Sequence, residues 1–161
     1  MMFKKFVLGA VAVATMGFTA SAFAAVTNEQ AKEIARKEVP AQAVFYGIDN
    51  SNNKITVNFR NNETYKNYDV EVNQETGKVE SLDINGSNFL GSTMKTKSEE
   101  DVKAAILAAF PDAQNIQVSY EKQGENNMVY NATFETAKYS KVEAEVSPNT
   151  CAIGRQKLIF K

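Results

Sequence analysis

The sequence predicts an α+β fold of two tandem units, each made of one helix followed by about four antiparallel strands. Residues 27–40 and 98–111 repeat one pattern, in which a hydroxyl residue opens an amphipathic segment that stops at a proline. The two starts lie 71 positions apart, and a fixed internal period is the sequence signature of a duplicated unit. After each segment the apolar period changes from 3.6 residues to two, which is typical of antiparallel strands with one buried face.

The first 24 residues have the features of an export signal. Lys4 and Lys5 precede an apolar stretch, and Ala22-Phe23-Ala24 fits the small-x-small cleavage rule. A membrane anchor needs roughly 18 or more apolar residues, and residues 15–21 are too polar to supply them. We therefore expect cleavage near Ala24 and a bacterial protein that is periplasmic or secreted, with no stable membrane insertion afterwards.

Both helices have predicted boundaries and a predicted buried stripe. Thr27 with Gln30 makes a capping box, and Ser98 with Asp101 makes a weaker one. The closing prolines push the residue before them out of the helical region. Apolar residues at offsets 0, 3, 4 and 8 form one stripe on each helix: Ala31, Ile34, Ala35 and Val39, then Val102, Ala105, Ile106 and Phe110.

Strands follow each helix where apolar and polar residues alternate between Asn-rich or Gly-containing turns. The first unit, residues 25–84, contains predicted strands at 43–48, 54–60, 68–73 and 78–84. The second unit, residues 98–161, contains them at 116–120, 130–135, 142–146 and 152–160. Units of about 60 residues are marginal alone, so we expect them to pack together. Residues 85–97 form the linker, whose Phe89, Leu90 and Met94 are expected to dock one unit on the other.

The composition argues against several kinds of catalytic and binding site. The chain has no histidine, and therefore lacks the commonest general base and the commonest zinc ligand. Three Ser-x-x-Lys tetrads lie in a predicted turn, linker or strand, where the two side chains do not come together. Without residues 1–24 the chain has 16 basic and 19 acidic residues and no basic block, so nucleic acid binding is not expected. We expect neither catalysis nor a cofactor.

Cys151 is the only cysteine, which rules out an intramolecular disulfide. A free cysteine usually packs as a small hydrophobic side chain. An odd cysteine in an exported protein also permits an intermolecular disulfide. The sequence therefore leaves a monomer and a Cys151-linked dimer open.

Two stretches resemble the PepSY domain family. The first is Thr-x-Glu-Gln-Ala-x-x-Ile-Ala at 27–35, ending at Pro40, and the second is the strand, Thr-Gly turn and strand at 68–79. Residues 142–153 repeat the second stretch 74 positions later, with Cys151 in place of Gly77, which leaves the tight turn there open. The tandem arrangement is similar to PepSY-like proteins related to the β-lactamase-inhibitor protein fold.

That resemblance implies a small exported module without catalytic residues. Family members occur in peptidase propeptides, regulatory proteins and secreted inhibitors. Paired units of this fold form one curved sheet with helices on its convex side, and the concave face can grip a partner protein. The resemblance transfers no shared set of binding residues.

The candidate binding surface is the polar side of the predicted sheet, although composition alone favours a solvated surface without a partner. Phe45, Tyr65 and Tyr139 are the candidate aromatic anchors. We expect a non-enzymatic binder of an unknown protein partner, an inhibitor or regulator of a secreted or periplasmic enzyme of the peptidase or β-lactamase type that acts by steric occlusion. The alternative is a structural or envelope-associated protein with no dedicated enzyme target. The predicted face residues are Asn58, Arg60, Tyr65, Asp69, Glu71, Asn131, Thr133, Glu143 and Glu145.

Overall fold

A computed structural model describes residues 25–86, 91–123 and 127–161. The predicted export signal lies outside these residues, as do Phe89 and Leu90 of the linker. In the described residues, two helices pack on one open antiparallel sheet of eight strands, in the order β1-β2-β3-β4-β8-β7-β6-β5. The elements are α1 (Asn28–Arg36), β1 (Val44–Ser51), β2 (Lys54–Asn61), β3 (Lys66–Asn73), β4 (Val79–Gly86), α2 (Glu99–Ala109), β5 (Gln114–Gln123), β6 (Asn127–Glu135), β7 (Tyr139–Val146) and β8 (Ile153–Phe160).

Both helices begin with the predicted capping box. Thr27 Oγ1 accepts from the Gln30 amide at 3.3 Å, and Gln30 Oε1 accepts from the Thr27 amide at 2.9 Å. Ser98 and Asp101 make the same exchange at 3.2 and 2.8 Å. Each box satisfies two amides that a helix start leaves without an intrahelical partner.

The two helices end differently. Phe110 lies outside the helical region at φ −132°, directly before the proline that was predicted to stop α2. By contrast, α1 ends at Arg36, about one turn before the predicted stop at Pro40. The Arg36 guanidinium turns back along the connection to β1 and donates to the carbonyl oxygens of Pro40, Ala41 and Ala43.

The predicted alternation of the strands is confirmed, and it places the core on one side of the sheet. Apolar residues of the six inner strands are buried together with Ala31 and Ala35 of α1 and with Val102 and Ile106 of α2 in one cluster, and apolar residues of the edge strands β1 and β5 are partly buried against it. Both helices therefore cover the same face. The buried strand residues of this cluster are Ile55, Val57, Phe59, Tyr68, Val70, Val72, Leu82, Tyr130, Ala132, Phe134, Val142, Ala144, Val146 and Leu158.

The β4–β8 contact joins the two halves of the chain into one sheet. Four residue pairs are in register, with the buried Leu82 opposite the buried Leu158. The strand order is symmetric about this contact, because β4-β3-β2-β1 runs outward on one side and β8-β7-β6-β5 on the other. The two halves thus continue each other's core and each other's solvent face.

One turn is built twice, once before β4 and once before β8. The amide of Gly77 donates to the carbonyl oxygen of Asn73 at 2.8 Å, and the amide of Cys151 donates to that of Ser147 at 3.0 Å. The side-chain oxygens of Asn73 and Ser147 each accept from the amides two and three positions further on. Gly77 has φ 69° and Cys151 has φ 59°, so the tight turn is kept although Cys151 replaces the glycine. Cys151 is free and half-buried, and burial raises the pKa of its thiol.

The end of the linker is held by the second half of the chain. The amides of Thr96 and Lys97 both donate to the carbonyl oxygen of Pro148 at 3.0 Å, and the Tyr130 hydroxyl donates to the Lys97 carbonyl oxygen at 2.8 Å. Met94 is 59% exposed. The prediction that Met94 docks the units together is therefore wrong, because hydrogen bonds to main-chain carbonyls hold this segment instead.

Substitutions at the repeated turn test its left-handed geometry. Gly77→Ala should lower the free energy of unfolding of residues 25–161 by about 1–2 kcal/mol, because a Cβ is strained at positive φ and would lie 3.3 Å from Val26 Cγ2. Cys151→Gly should be more stable than Cys151→Ala by about 1 kcal/mol, since only alanine keeps that strain. Denaturant unfolding measures both differences. A Cys151→Ala variant as stable as Cys151→Gly would contradict the account of this turn.

Candidate binding face

The side of the sheet opposite the helices, here called the polar face, carries one continuous row of directly paired residues. The row crosses all eight strands because the registers of the seven strand pairs agree at this level. From β1 to β5 in spatial order it consists of Gly47, Asn58, Asp69, Asp83, Lys157, Glu143, Thr133 and Gln117.

Eight of the nine predicted face residues share the polar face. Asn58, Asp69, Glu143 and Thr133 belong to the continuous row itself. The other four are in the flanking rows, where Glu71 lies opposite Ser81, Arg60 opposite Asn67, and Asn131 opposite Glu145. Tyr65 is the exception, because it lies in the β2–β3 turn, where it is 51% exposed.

The second half of the polar face forms a shallow groove of about 400 Å³ across β4, β8, β7 and β6. All four predicted residues of the second unit line it, together with residues from β4 and β8, so both halves of the chain contribute. Its charges are paired: Arg155 lies 3.5 Å from Glu145, and Lys157 lies 3.8 Å from Asp83. The polar residues lining the groove are Asp83, Asn131, Thr133, Glu143, Glu145, Arg155, Gln156 and Lys157.

At one end of the first half, Lys54 holds two carboxylates. Its Nζ lies 3.1 Å from Glu71 and 3.1 Å from Glu80, and the Ser81 hydroxyl donates to Glu71 at 2.9 Å. Burial raises the pKa of Glu71, but the hydrogen bonds from Ser81 and Lys54 and the lysine charges outweigh it, so the pKa is lowered. The Glu71 carboxylate is thus stabilised in its charged form.

Asp69 has the opposite environment. Burial raises its pKa, and the charges of Asp83, directly opposite on β4, and of Asp49 raise it further. Its Oδ1 is buried and has no hydrogen-bond partner among the described residues. The neighbouring Asn58 donates to Asp49 at 2.9 Å and is itself buried, at 8% exposure, rather than solvated. The middle of the first half therefore holds a carboxylate that the sheet does not neutralise.

A β-bulge at the start of β1 exposes an aromatic residue that the sequence prediction missed. Phe45 pairs with Phe59 and packs against it at 6.1 Å between ring centroids, whereas the next residue in register is Gly47. The bulge leaves Tyr46 59% exposed. Burial and the charges of Asp69 and Asp49 raise the pKa of Tyr46, while Arg60 lowers it, so its phenol lies among polar-face groups.

Two of the predicted aromatic anchors are therefore wrong. Phe45 faces the core, and Tyr139 is half-buried against Phe160, with ring centroids 5.0 Å apart. The bulge that exposes Tyr46 could have been predicted from Gly47, because a glycine inside a strand often marks a bulge.

The polar face supplies hydrogen-bonding groups and charges. Among the residues that the structure describes, no group of three His, Cys, Asp or Glu side chains could hold a metal ion. In the same residues, no helix is long and apolar enough to cross a membrane.

The first half of this architecture matches a known family. The PepSY model, described as peptidase propeptide and YPEB domain, matches residues 25–82, from the segment before α1 into β4. The match supports a PepSY-family domain at residues 25–82. PepSY domains are non-catalytic propeptide or regulatory modules that are typically extracytoplasmic. No curated protein and no solved structure matches the chain.

The PepSY match ends before the second half begins. That residues 98–161 also form a PepSY-like unit remains a prediction from the repeated sequence pattern. The helix, the four strands and the duplicated turn of the second half are the structural features that favour it.

Charge removal at two positions of β3 should have opposite effects on stability. At neutral pH, Asp69→Asn should raise the free energy of unfolding by up to about 1 kcal/mol, because it removes a like-charge pair across two strands. Glu71→Gln should lower the free energy of unfolding by a similar amount, because it weakens the bond to Lys54. Urea unfolding of the PepSY-containing chain measures both.

The pH dependence of these variants follows from the two pKa directions. The pKa of Asp69 is raised on folding, so the cost of its charge disappears as the pH falls through that pKa, and Asp69→Asn loses its advantage in acid. The pKa of Glu71 is lowered, so its stabilisation is present above the ordinary glutamate pKa and is lost as the pH falls through the lowered value. An Asp69→Asn variant less stable than wild type at neutral pH would refute this electrostatic description.

Proposed function

We propose that this protein is an exported, non-enzymatic module that binds a secreted or periplasmic peptidase through its polar face and inhibits or regulates it by steric occlusion. The observation that carries the proposal is the continuous polar row across eight strands in a chain whose first half is a PepSY domain. The family description names peptidase propeptides, and for that reason we place a peptidase before a β-lactamase as the partner.

The dimensions of the polar face suit a protein partner. Eight strands at about 4.8 Å spacing span about 34 Å, and eight residues along a strand span about 26 Å. The product, about 900 Å², is close to the roughly 800 Å² that each partner contributes to a standard protein interface. Both helices lie on the other side of the sheet, so a partner could reach this area without displacing them.

Inhibition by steric occlusion requires only that the surface of this chain be complementary to the partner in shape and charge. The groove across β4, β8, β7 and β6 is polar, and its ion pairs are exposed enough for a partner to exchange with them. Charged groups arranged in this way give specificity and register more than raw affinity. Within this proposal, residues 25–84 and 98–161 are the two binding units, residues 85–97 connect them, and residues 1–24 direct export.

The proposal is tested with residues 25–161 added to the periplasmic and secreted fractions of the source bacterium. We expect one peptidase activity to fall. We expect the inhibited peptidase to be recovered bound to residues 25–161, with one copy of each protein in the complex. Glu143→Lys reverses a charge in the groove and should weaken inhibition by about tenfold or more. Glu33→Lys is the matched control, because Glu33 is exposed on α1, on the helix side of the chain.

Two results would count against the proposal. If no peptidase activity falls in either fraction, the structural or envelope-associated role becomes the better account. If a peptidase is inhibited equally by both charge reversals, binding does not use the polar face.

A further inference from the structure

We propose, as a refinement that rests on the proposed function, that the partner docks a lysine or arginine side chain on Asp69 in the first half of the polar face. The docking site consists of Asp69, Asp83 and Asn58 in the continuous row, with Asp49 and Tyr46 on β1 beside them.

Charge complementarity identifies the occupant. Three carboxylates near Asp69 on the polar face lie within 4 Å of a lysine: Asp83 of Lys157, and Glu71 and Glu80 of Lys54. Asp49 accepts a hydrogen bond from Asn58 instead. On the other side of the β4–β8 contact, Glu143 forms an ion pair with Lys141, and Glu145 forms one with Arg155. No such cation accompanies Asp69 among the described residues, and its buried Oδ1 has no hydrogen-bond donor. The group that the site lacks is therefore a cationic donor from outside the chain.

The sheet keeps this arrangement at a cost in stability. Like charges directly opposite each other on neighbouring strands are unfavourable, and Asp69 stands opposite Asp83. Replacing either residue by asparagine would remove the repulsion without changing the shape of the surface. Features that break a local rule without a structural gain are expected where a function requires them.

Asp69 is partly exposed on the polar face, two strands from the β1 edge of the sheet. Gly47, which lies beside Asn58 in the row, contributes no side chain of its own. Tyr46 offers a ring that is 59% exposed. The stem of a lysine or the guanidinium of an arginine can pack over such a ring while its charged end reaches the carboxylate. Tyrosine is also one of the residue types enriched at the energetic centres of interfaces.

A protein cation fits this site better than a metal ion does. The described residues hold no group of three His, Cys, Asp or Glu side chains arranged for a metal. A single ammonium or guanidinium needs only one or two acceptor oxygens and an apolar surface for its stem. Asp69 and Tyr46 provide both.

The test uses a random linear-peptide display library, selected on immobilised residues 25–161. We expect the selected peptides to be enriched in lysine or arginine and to bind more weakly as salt is added. Asp69→Asn should reduce their affinity about 10- to 100-fold, the loss typical of one charged hydrogen bond. Tyr46→Ala should also weaken them. Glu33→Gln, the same carboxylate-to-amide change on the helix side, should leave the affinity unchanged.

Three outcomes would overturn the docking site. The first is selected peptides without enrichment of basic residues, and the second is equal affinity for wild type and Asp69→Asn. The third is displacement of the peptides by calcium alone at micromolar concentration, which would assign the site to a metal.

The peptide experiment does not depend on a peptidase, so the two proposals can fail separately. If basic peptides need Asp69 but no peptidase is inhibited, the docking site stands and the proposed function fails. If a peptidase is inhibited equally well by wild type and Asp69→Asn, the function stands and the docking site is wrong.

Discussion

The pairing of β4 with β8 is the constraint on which the rest of the structure depends. A four-stranded unit with one helix has about 60 residues, and a domain of that size buries too little surface to be secure alone. Pairing places Leu82 opposite Leu158 at the centre of one shared core. Because the contact is in register, the polar residues of both halves also become neighbours, with Asp83 opposite Lys157.

Because β4 pairs with β8, each face of the sheet is continuous across both halves, and the two faces differ in composition. One face carries the helices and the core, and the other carries a row of polar residues that no described element covers. In the second half of the polar face, the Glu145 carboxylate is matched by Arg155 within the chain. In the first half, the buried Oδ1 of Asp69 has no hydrogen-bond partner among the residues that the structure describes. The polar face is therefore electrostatically asymmetric, although the fold beneath it is close to symmetric.

Local patterns in the sequence predicted most of the fold. Both helices, all eight strands, the capping boxes and the alternation of the buried sets followed from periodicity and turn residues. The end of α1 did not, because it depends on the contacts of Arg36 with carbonyl oxygens of the following turn. The exposure of Tyr46 was missed for a related reason, since a bulge shifts register by one residue and exchanges the two faces.

The candidate site was predictable only as a list of residues. Alternation placed Asn131, Thr133, Glu143 and Glu145 on one face, where they line one groove. The β3–β4 register places Asp69 opposite Asp83. The β4–β8 contact places Lys157 opposite Asp83, with which it pairs. Neither is encoded in any short stretch of sequence, because each joins strands whose pairing is decided by the whole fold.

Native-state amide hydrogen exchange at the β4–β8 joint tests the central claim most directly. If one sheet holds both halves together, the joint amides of Leu82 and Leu158 should exchange only through global unfolding, with the same opening free energy as the hairpin cores of both halves. If the joint amides exchange at a clearly lower free energy while both hairpin cores stay protected, the halves are separate modules, and a single polar face across eight strands is wrong.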